Sequence, residues 1–331
     1  MKMKPARGAL ALALALGLIL ALALPGLAAQ DKSLRVVATV FPVYDWLRNI
    51  LGDTASPVSL SLLQDSGRDL HNFQPSAQDI MRVSSADVFV YVGGQSEQWV
   101  ENAVAEAVNP GIVAINLMAQ LGGAVKAEEM IEGMQDAPHA HSDEDRKDHI
   151  DARGDDEHIW LSLRNAAALT QMLAGCLGGL DPANAAAYQA NAEVYIGKLA
   201  ALDGEFQSAV DQAPVKTLLF ADRFPFRYLM DDYGLEYYAA FPGCSAESEA
   251  SFETVTFLAR KADELGLKNV LVLEGGDKDL ARTIVSSTRE AGQDILAMDS
   301  MQSVNRQAIE AGASYLGLME SNLRALEEAL Q

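Results

Sequence analysis

The residues able to do chemistry in this chain are few and unevenly placed. There are five histidines: His71, His139, His141, His149 and His158. His71 stands in a loop, QDSGRDLHNFQ, that follows an apolar strand-like run, and the other four fall within twenty residues of one another. Further on, three apolar runs end in a carboxylate or one step from it: TLLFA before Asp222, VLVL before Glu274 and ILAM before Asp299. Imidazole nitrogen facing carboxylate oxygen is the mixed donor set of borderline or harder divalent cations. For any single one of these acids the plainer role is to open a loop or cap the next helix. Three aimed at one rim are harder to assign that way. No Ser/His or Cys/His nucleophile arrangement is visible, which favours ion binding over covalent catalysis.

Donors so far apart in sequence need a scaffold to bring them together. Residues 34–41 (LRVVATVF), 87–92 (DVFVYV) and 111–117 are near-continuous apolar runs, and 58–63 is a further strand candidate. Helical stretches separate them, one carrying Tyr44, Trp46, Leu47 and Ile50, one opening at Pro75 and one near Trp99. The alternation resumes with strand-like runs at 217–221, 237–241, 270–273 and 295–298, a helix over 252–265 and a last amphipathic helix over 305–330. Apolar strands alternating with helices predict parallel sheets covered on both faces, with ligands bound at the carboxyl ends of the strands.

Between the two series, 181–214 reads as one long helix. Asp181 suits its cap, Pro182 its first turn and Pro214 its stop. Tyr188, Tyr195, Leu199, Leu202, Phe206 and Val210 recur on one face. Some thirty residues would span roughly 45 Å, enough to join two lobes and too stiff to serve as a hinge. The expected fold class is α/β: two α/β lobes with mostly parallel sheets, 30–180 and 215–331, joined by one rigid helix over 181–214.

The 331 residues, 49% of them hydrophobic, suffice for two such cores. The first 29 are a different object: Lys2, Lys4 and Arg7, an uncharged Ala/Leu-rich run over 8–24, then Pro25 and the small residues Gly26, Ala28 and Ala29. That order marks a cleaved signal peptide over 1–29, and no cysteine stands near its exit to carry a lipid. A periplasmic or secreted protein is expected. Its net charge of −21 makes nucleic acid and anionic membranes poor partners and cations plausible ones. Cys176 and Cys244 would tie the halves together as a disulfide or remain two unpaired thiols. The stretch 126–157 is a loop without an apolar period, with twelve acidic residues from Glu128 to Glu157 against Arg146, Lys147 and Arg153. It reads as a cation collector or a solvated linker.

The stretches 71–79, 157–162, 223–235, 243–251 and 295–299, HNFQPSAQD, EHIWLS, RFPFRYLMDDYGL, GCSAESEAS and ILAMD, together resemble the solute receptors of ABC importers for zinc and manganese. His71-Asn-Phe-Gln-Pro-Ser-Ala-Gln-Asp79 is similar to that family's first ligand loop. Glu157-His158-Ile-Trp-Leu-Ser162 is similar to its second, behind a His- and acid-rich insert. The stretch from Arg223 to Leu235, the segment GCSAESEAS beginning at Gly243, and Ile295-Leu-Ala-Met-Asp299 follow in the family's order. The resemblance implies ligands at His71, His158 and Asp299. Its third ligand position falls on Arg223, whose guanidinium is a permanent cation and no ligand. Asp222, Glu274 or water is left to complete the site.

On this reading a monomeric receptor captures Zn(II), with Mn(II) the alternative, and delivers it to a membrane permease with its ATPase. A metallohydrolase using Glu274 as base, and a metal buffer or adhesin without a transporter, are the rivals from other classes. Neutral imidazole is the ligand, so affinity is expected to fall below about pH 6.5.

Overall fold

The computed structural model describes residues 33–53, 57–135, 154–245, 249–276 and 278–331. The expected signal segment, 1–29, lies outside the described residues, as do 136–153 with His139, His141 and His149.

The apolar runs form two four-stranded parallel sheets. In the first, β1 (Leu34–Ala38), β2 (Val58–Leu62), β3 (Val88–Tyr91) and β4 (Val113–Asn116) lie in the order β2-β1-β3-β4. Leu34 faces Val58 and Val36 faces Val88 in the register. The second repeats the plan with β5 (Thr217–Phe224), β6 (Glu236–Pro242), β7 (Asn269–Leu273) and β8 (Asp294–Met298), in the order β6-β5-β7-β8. In both sheets the chain reverses its direction of advance beside the first strand, which opens a crevice at the carboxyl ends of β1 and β5.

Helices cover these sheets, and local chemistry sets their ends. Pro42 sits in the first turn of α1 (Phe41–Leu51), where its missing N–H costs nothing. Ser76 and Asp79 form a reciprocal capping box that starts α2 (Ala77–Ser85). Two short helices follow, α3 (Trp99–Ala105) and α4 (Leu117–Leu121).

The long helix, α6, spans Ala185–Gln212 and buries Tyr188, Ala192, Tyr195, Leu199, Leu202, Phe206 and Val210. It starts four residues later than expected because Asp181 closes the preceding helix, α5 (Leu163–Leu180), instead. The Asp181 carboxylate accepts the Tyr188 hydroxyl at 2.8 Å and the Asn184 amide at 2.7 Å, tying the α5–α6 turn. At about 42 Å, α6 is the longest helix among the described residues, with α5 packed along it and α1 against it.

The second half adds α7 (Arg227–Tyr233), α8 (Phe252–Leu265) and α9 (Asp279–Ser287). The single C-terminal helix expected over 305–330 is two helices, α10 (Arg306–Glu310) and α11 (Tyr315–Ala329). Gly312 between them has φ +97, a conformation open to glycine and incompatible with a continuing helix, and Ser314 caps the restart.

One core runs through both halves. Trp46, Trp160, Tyr188, Phe206, Phe220 and Tyr315 belong to a single buried cluster. Two polar ties cross it: the Trp160 indole donates to the Ser300 carbonyl at 2.9 Å, and the Tyr315 hydroxyl donates to the Trp160 carbonyl at 2.6 Å. Cys176 and Cys244 are both free thiols. Among the described residues no helix is long and apolar enough to cross a membrane.

Candidate metal centre

His71 leaves the carboxyl end of β2 on a 3-10 turn, Leu70–Asn72, that Asp69 opens by accepting the His71 N–H at 2.9 Å. His158 stands just before a second such turn, Ile159–Leu161, and is fully buried. Asp156 Oδ1 accepts both the backbone N–H of His158, at 2.9 Å, and its ring Nδ1–H, at 2.8 Å. On the other ring, His71 Nδ1 lies 2.9 Å from Ser96 Oγ and 3.5 Å from Glu157 Oε2. Glu157 is itself fixed by the Ser96 N–H, which donates to Oε1 at 2.8 Å. Its close approach depends on Gly94, at φ +83, where a Cβ would stand 2.4 Å from that oxygen.

Asp156, which can only accept, sets the His158 tautomer, and Ser96 Oγ and Glu157 Oε2 offer acceptors to His71 Nδ1. With each Nδ1 turned to an acceptor and carrying its hydrogen, both Nε2 lone pairs face each other, 3.2 Å apart. Two lone pairs at that distance repel unless a proton or a cation lies between them. Two nitrogens bound to one zinc at about 2.0–2.1 Å in tetrahedral geometry stand roughly 3.3 Å apart, so the observed spacing suits a shared ion.

A third donor comes from the second half. Beyond β6, Gly243 brings the chain against His158, where a Cβ would lie 3.1 Å from Cε1 of that ring. The next residue is Cys244, whose backbone N–H donates to Glu128 Oε1 at 2.9 Å. Its thiol and the imidazole nitrogens of His71 and His158 lie within 4.8 Å of one another. A cavity of about 270 Å³ opens onto His71, Glu157 and Cys244.

Electrostatics divide the roles. Burial, then the adjacent His158 ring, pushes His71 down to about 4. Burial works against a charged His158 too, but the Asp156 carboxylate outweighs it and raises that ring. A single proton between the two therefore resides on His158. Burial, followed by Glu128, Asp156 and Glu157, pushes the Cys244 thiol up. Carboxylates that hold protons on these donors also favour a divalent cation in their place.

The three acids expected to join the histidines have other partners. Asp222 Oδ1 accepts the Arg223 N–H at 2.8 Å and Oδ2 the Leu273 N–H at 3.1 Å. Glu274 accepts the Ser300 N–H at 2.8 Å and hydroxyls of Ser300 and Ser303 at 2.7 and 2.9 Å. Asp299 accepts the Met301 N–H at 2.7 Å, and burial with the nearby Glu274 charge pushes it up to about 7. Among the described residues the group within 4.8 Å comprises His71, His158 and Cys244, and none of these acids belongs to it. Arg223 pairs with Asp69 at 2.8 Å. The signal for Cys244 lay in its position: a thiol two residues past a strand end, on the same rim as the other candidate donors.

The geometry has clear relatives. The family model for the periplasmic zinc-uptake complex component A matches residues 36–329. The high-affinity zinc uptake system protein ZnuA of Bacillus subtilis is 27% identical over 297 residues, 90% of this chain and 88% of that protein. The zinc-binding lipoprotein AdcA of Streptococcus pneumoniae is 28% identical over 298 residues, 90% of this chain but only 56% of its own length. The chain thus spans about half of the streptococcal protein. In structure it is similar to the Zn(II)-bound ZnuA-like domain of that AdcA, with a TM-score of 0.69, 26% identity and coverage of 90% of this chain and 99% of the domain. A match running from the third residue of β1 to the last residue of α11 takes in both sheets, the joining helix and all three donor loops, so the chain belongs to the zinc-uptake component A family of transport binding proteins, which are not enzymes.

Proposed function

We propose that this protein captures Zn(II) outside the cytoplasm and delivers it to a membrane permease driven by an ATPase, residues 1–29 directing its export. The ion is held by His71 and His158 through Nε2 and by Cys244 through sulfur. The observation that carries this reading is the pair of Nε2 atoms 3.2 Å apart, each ring fixed from behind at Nδ1. Relatives named for zinc binding and zinc uptake support the choice of ion. So does the donor set: two imidazoles and a thiolate suit zinc, whereas manganese favours oxygen.

Asp299 lies outside the donor group and water takes the fourth place. Asp222 and Glu274 brace the main chain. The test is metal analysis of natively purified protein, with zinc affinity measured for His71→Ala, Cys244→Ser and Asp299→Asn. Loss of about a hundredfold or more for the first two, and a smaller loss for the third, is expected. Wild-type affinity in Cys244→Ser, or a preference for manganese, would overturn the donor assignment.

A further inference from the structure

Arg223 falls where the resemblance puts a ligand position, and its contacts give it a different task. It lies near the carboxyl end of β5, where the register against β6 shifts between Phe220 and Arg223. Such an irregularity turns the side chains that follow it. Asp222 pins the irregularity by accepting the N–H of Arg223 and that of Leu273 on β7. The Arg223 side chain is thereby directed across the crevice toward the first half.

There its Nη2 donates to Asp69 Oδ2 at 2.8 Å, with both side chains largely buried. The other oxygen of Asp69 accepts the His71 N–H at 2.9 Å, so the guanidinium is linked through one carboxylate to the backbone of a donor residue. Nη1 of the same guanidinium donates to the Ser245 carbonyl at 3.4 Å, one residue beyond Cys244. A planar fork can serve two acceptors at once, which a lysine ammonium on a flexible stem does poorly.

We propose that Arg223 is a positioning residue: it ties the His71 loop, through Asp69, to the Cys244 loop, through Ser245, and so holds nitrogen and sulfur donors from the two halves together before the ion arrives. This rests on the donor set proposed above. A bond between protein groups stands where a ligand-to-metal bond would cross the crevice, and the site gains affinity by ordering its loops in advance.

The test compares wild type with Arg223→Gln, Asp69→Asn, the double variant and Arg223→Lys. Zinc affinity is read by competition with a chromophoric chelator. Thiolate coordination is read from the Co(II) absorption band, and loop order from amide exchange of the metal-free protein. Each single substitution is expected to weaken zinc about tenfold or more, and the double variant no further than the weaker single, because both break one linkage. Arg223→Lys recovers part of the loss. Amides at 69–73 and 243–245 exchange faster in Arg223→Gln, while the cobalt–thiolate band persists at saturating Co(II).

Zinc bound as tightly or more tightly by Arg223→Gln, losses that multiply in the double variant, or unchanged exchange in both loops would each overturn the proposal. A wild type without a cobalt–thiolate band would instead overturn the donor assignment, and the exchange measurement would still decide the role of Arg223. If Arg223→Gln does not fold, Asp69→Asn breaks the same bond from the other side and reads the same quantities.

Discussion

Two imidazoles make a usable site here because other side chains hold their far edges. Asp156 fixes the His158 tautomer at 2.8 Å, and replacing it with asparagine leaves the ring free to turn and less basic. Asp156→Asn is expected to lower zinc affinity about 10- to 100-fold without removing a ligand, measurable by chelator competition. The pH dependence follows from the same contacts. His158 and Cys244 are both raised and hold protons that zinc must displace, whereas His71, pushed down to about 4, stays neutral through mild acid. Affinity therefore falls as pH drops, and the loss sets in above the ordinary histidine value of about 6.5 rather than below it. Calorimetry finding equal affinity at about pH 8 and about pH 6 would contradict this. In the metal-free protein the two rings act on stability with opposite sign. The unfolded chain takes up a proton at His71 near pH 6.5 that the folded chain declines until about 4, so stability falls as pH drops through about 6.5 toward 4. The His158 contribution is fully present below about pH 6.5 and is lost as pH rises through its raised folded value.

The elements show what a sequence can and cannot disclose. All eight strands lie on runs legible in advance; β3 and β7, buried along nearly their whole length, have no polar alternation to confuse them, whereas β2 alternates as Val-Ser-Leu-Ser-Leu and is only partly buried. The buried face of α6 was legible for the related reason that one stripe of a 3.6-residue helix must meet the core. What stayed hidden depends on single backbone angles or on distant partners. Gly312 breaks the C-terminal helix through its φ, and α5, interrupted in its signal by Gly175, Gly178 and Gly179, had no counterpart among the expected elements. Cys244 was hidden because a loop after β6 and a loop after β2 meet only in the folded chain. Among local devices, Ser162 caps α5 by accepting the Asn165 N–H at 3.0 Å and donates its hydroxyl to Asp232 at 2.6 Å. Ser162→Ala removes both contacts at the start of the helix that follows the His158 loop, and urea unfolding is expected to register a loss of about 1–3 kcal/mol.

At the scale of the molecule the two halves are bound too closely to swing apart. Beyond the shared core, the Tyr315 N–H donates to Asp45 at 2.9 Å, Arg306 pairs with Asp65, and the backbones of Ser66 and Asn305 bridge. The α6 helix packs against α1 of the first half and α7 and α11 of the second, with no glycine or proline break that would permit a kink, its two glycines, Gly197 and Gly204, being accommodated within continuous helix. An ion arriving between loops already at donor distance has little rigid-body work to do. Capture is therefore expected to leave both the His71 and Cys244 loops and the two halves in place. Small-angle scattering with and without Zn(II) should show radii of gyration that agree within about 1 Å, because closure of an open hinge would compact the particle by more. A larger contraction on zinc binding would mean that the contacts across the core yield in solution, and that the crevice closes by moving whole lobes onto the ion.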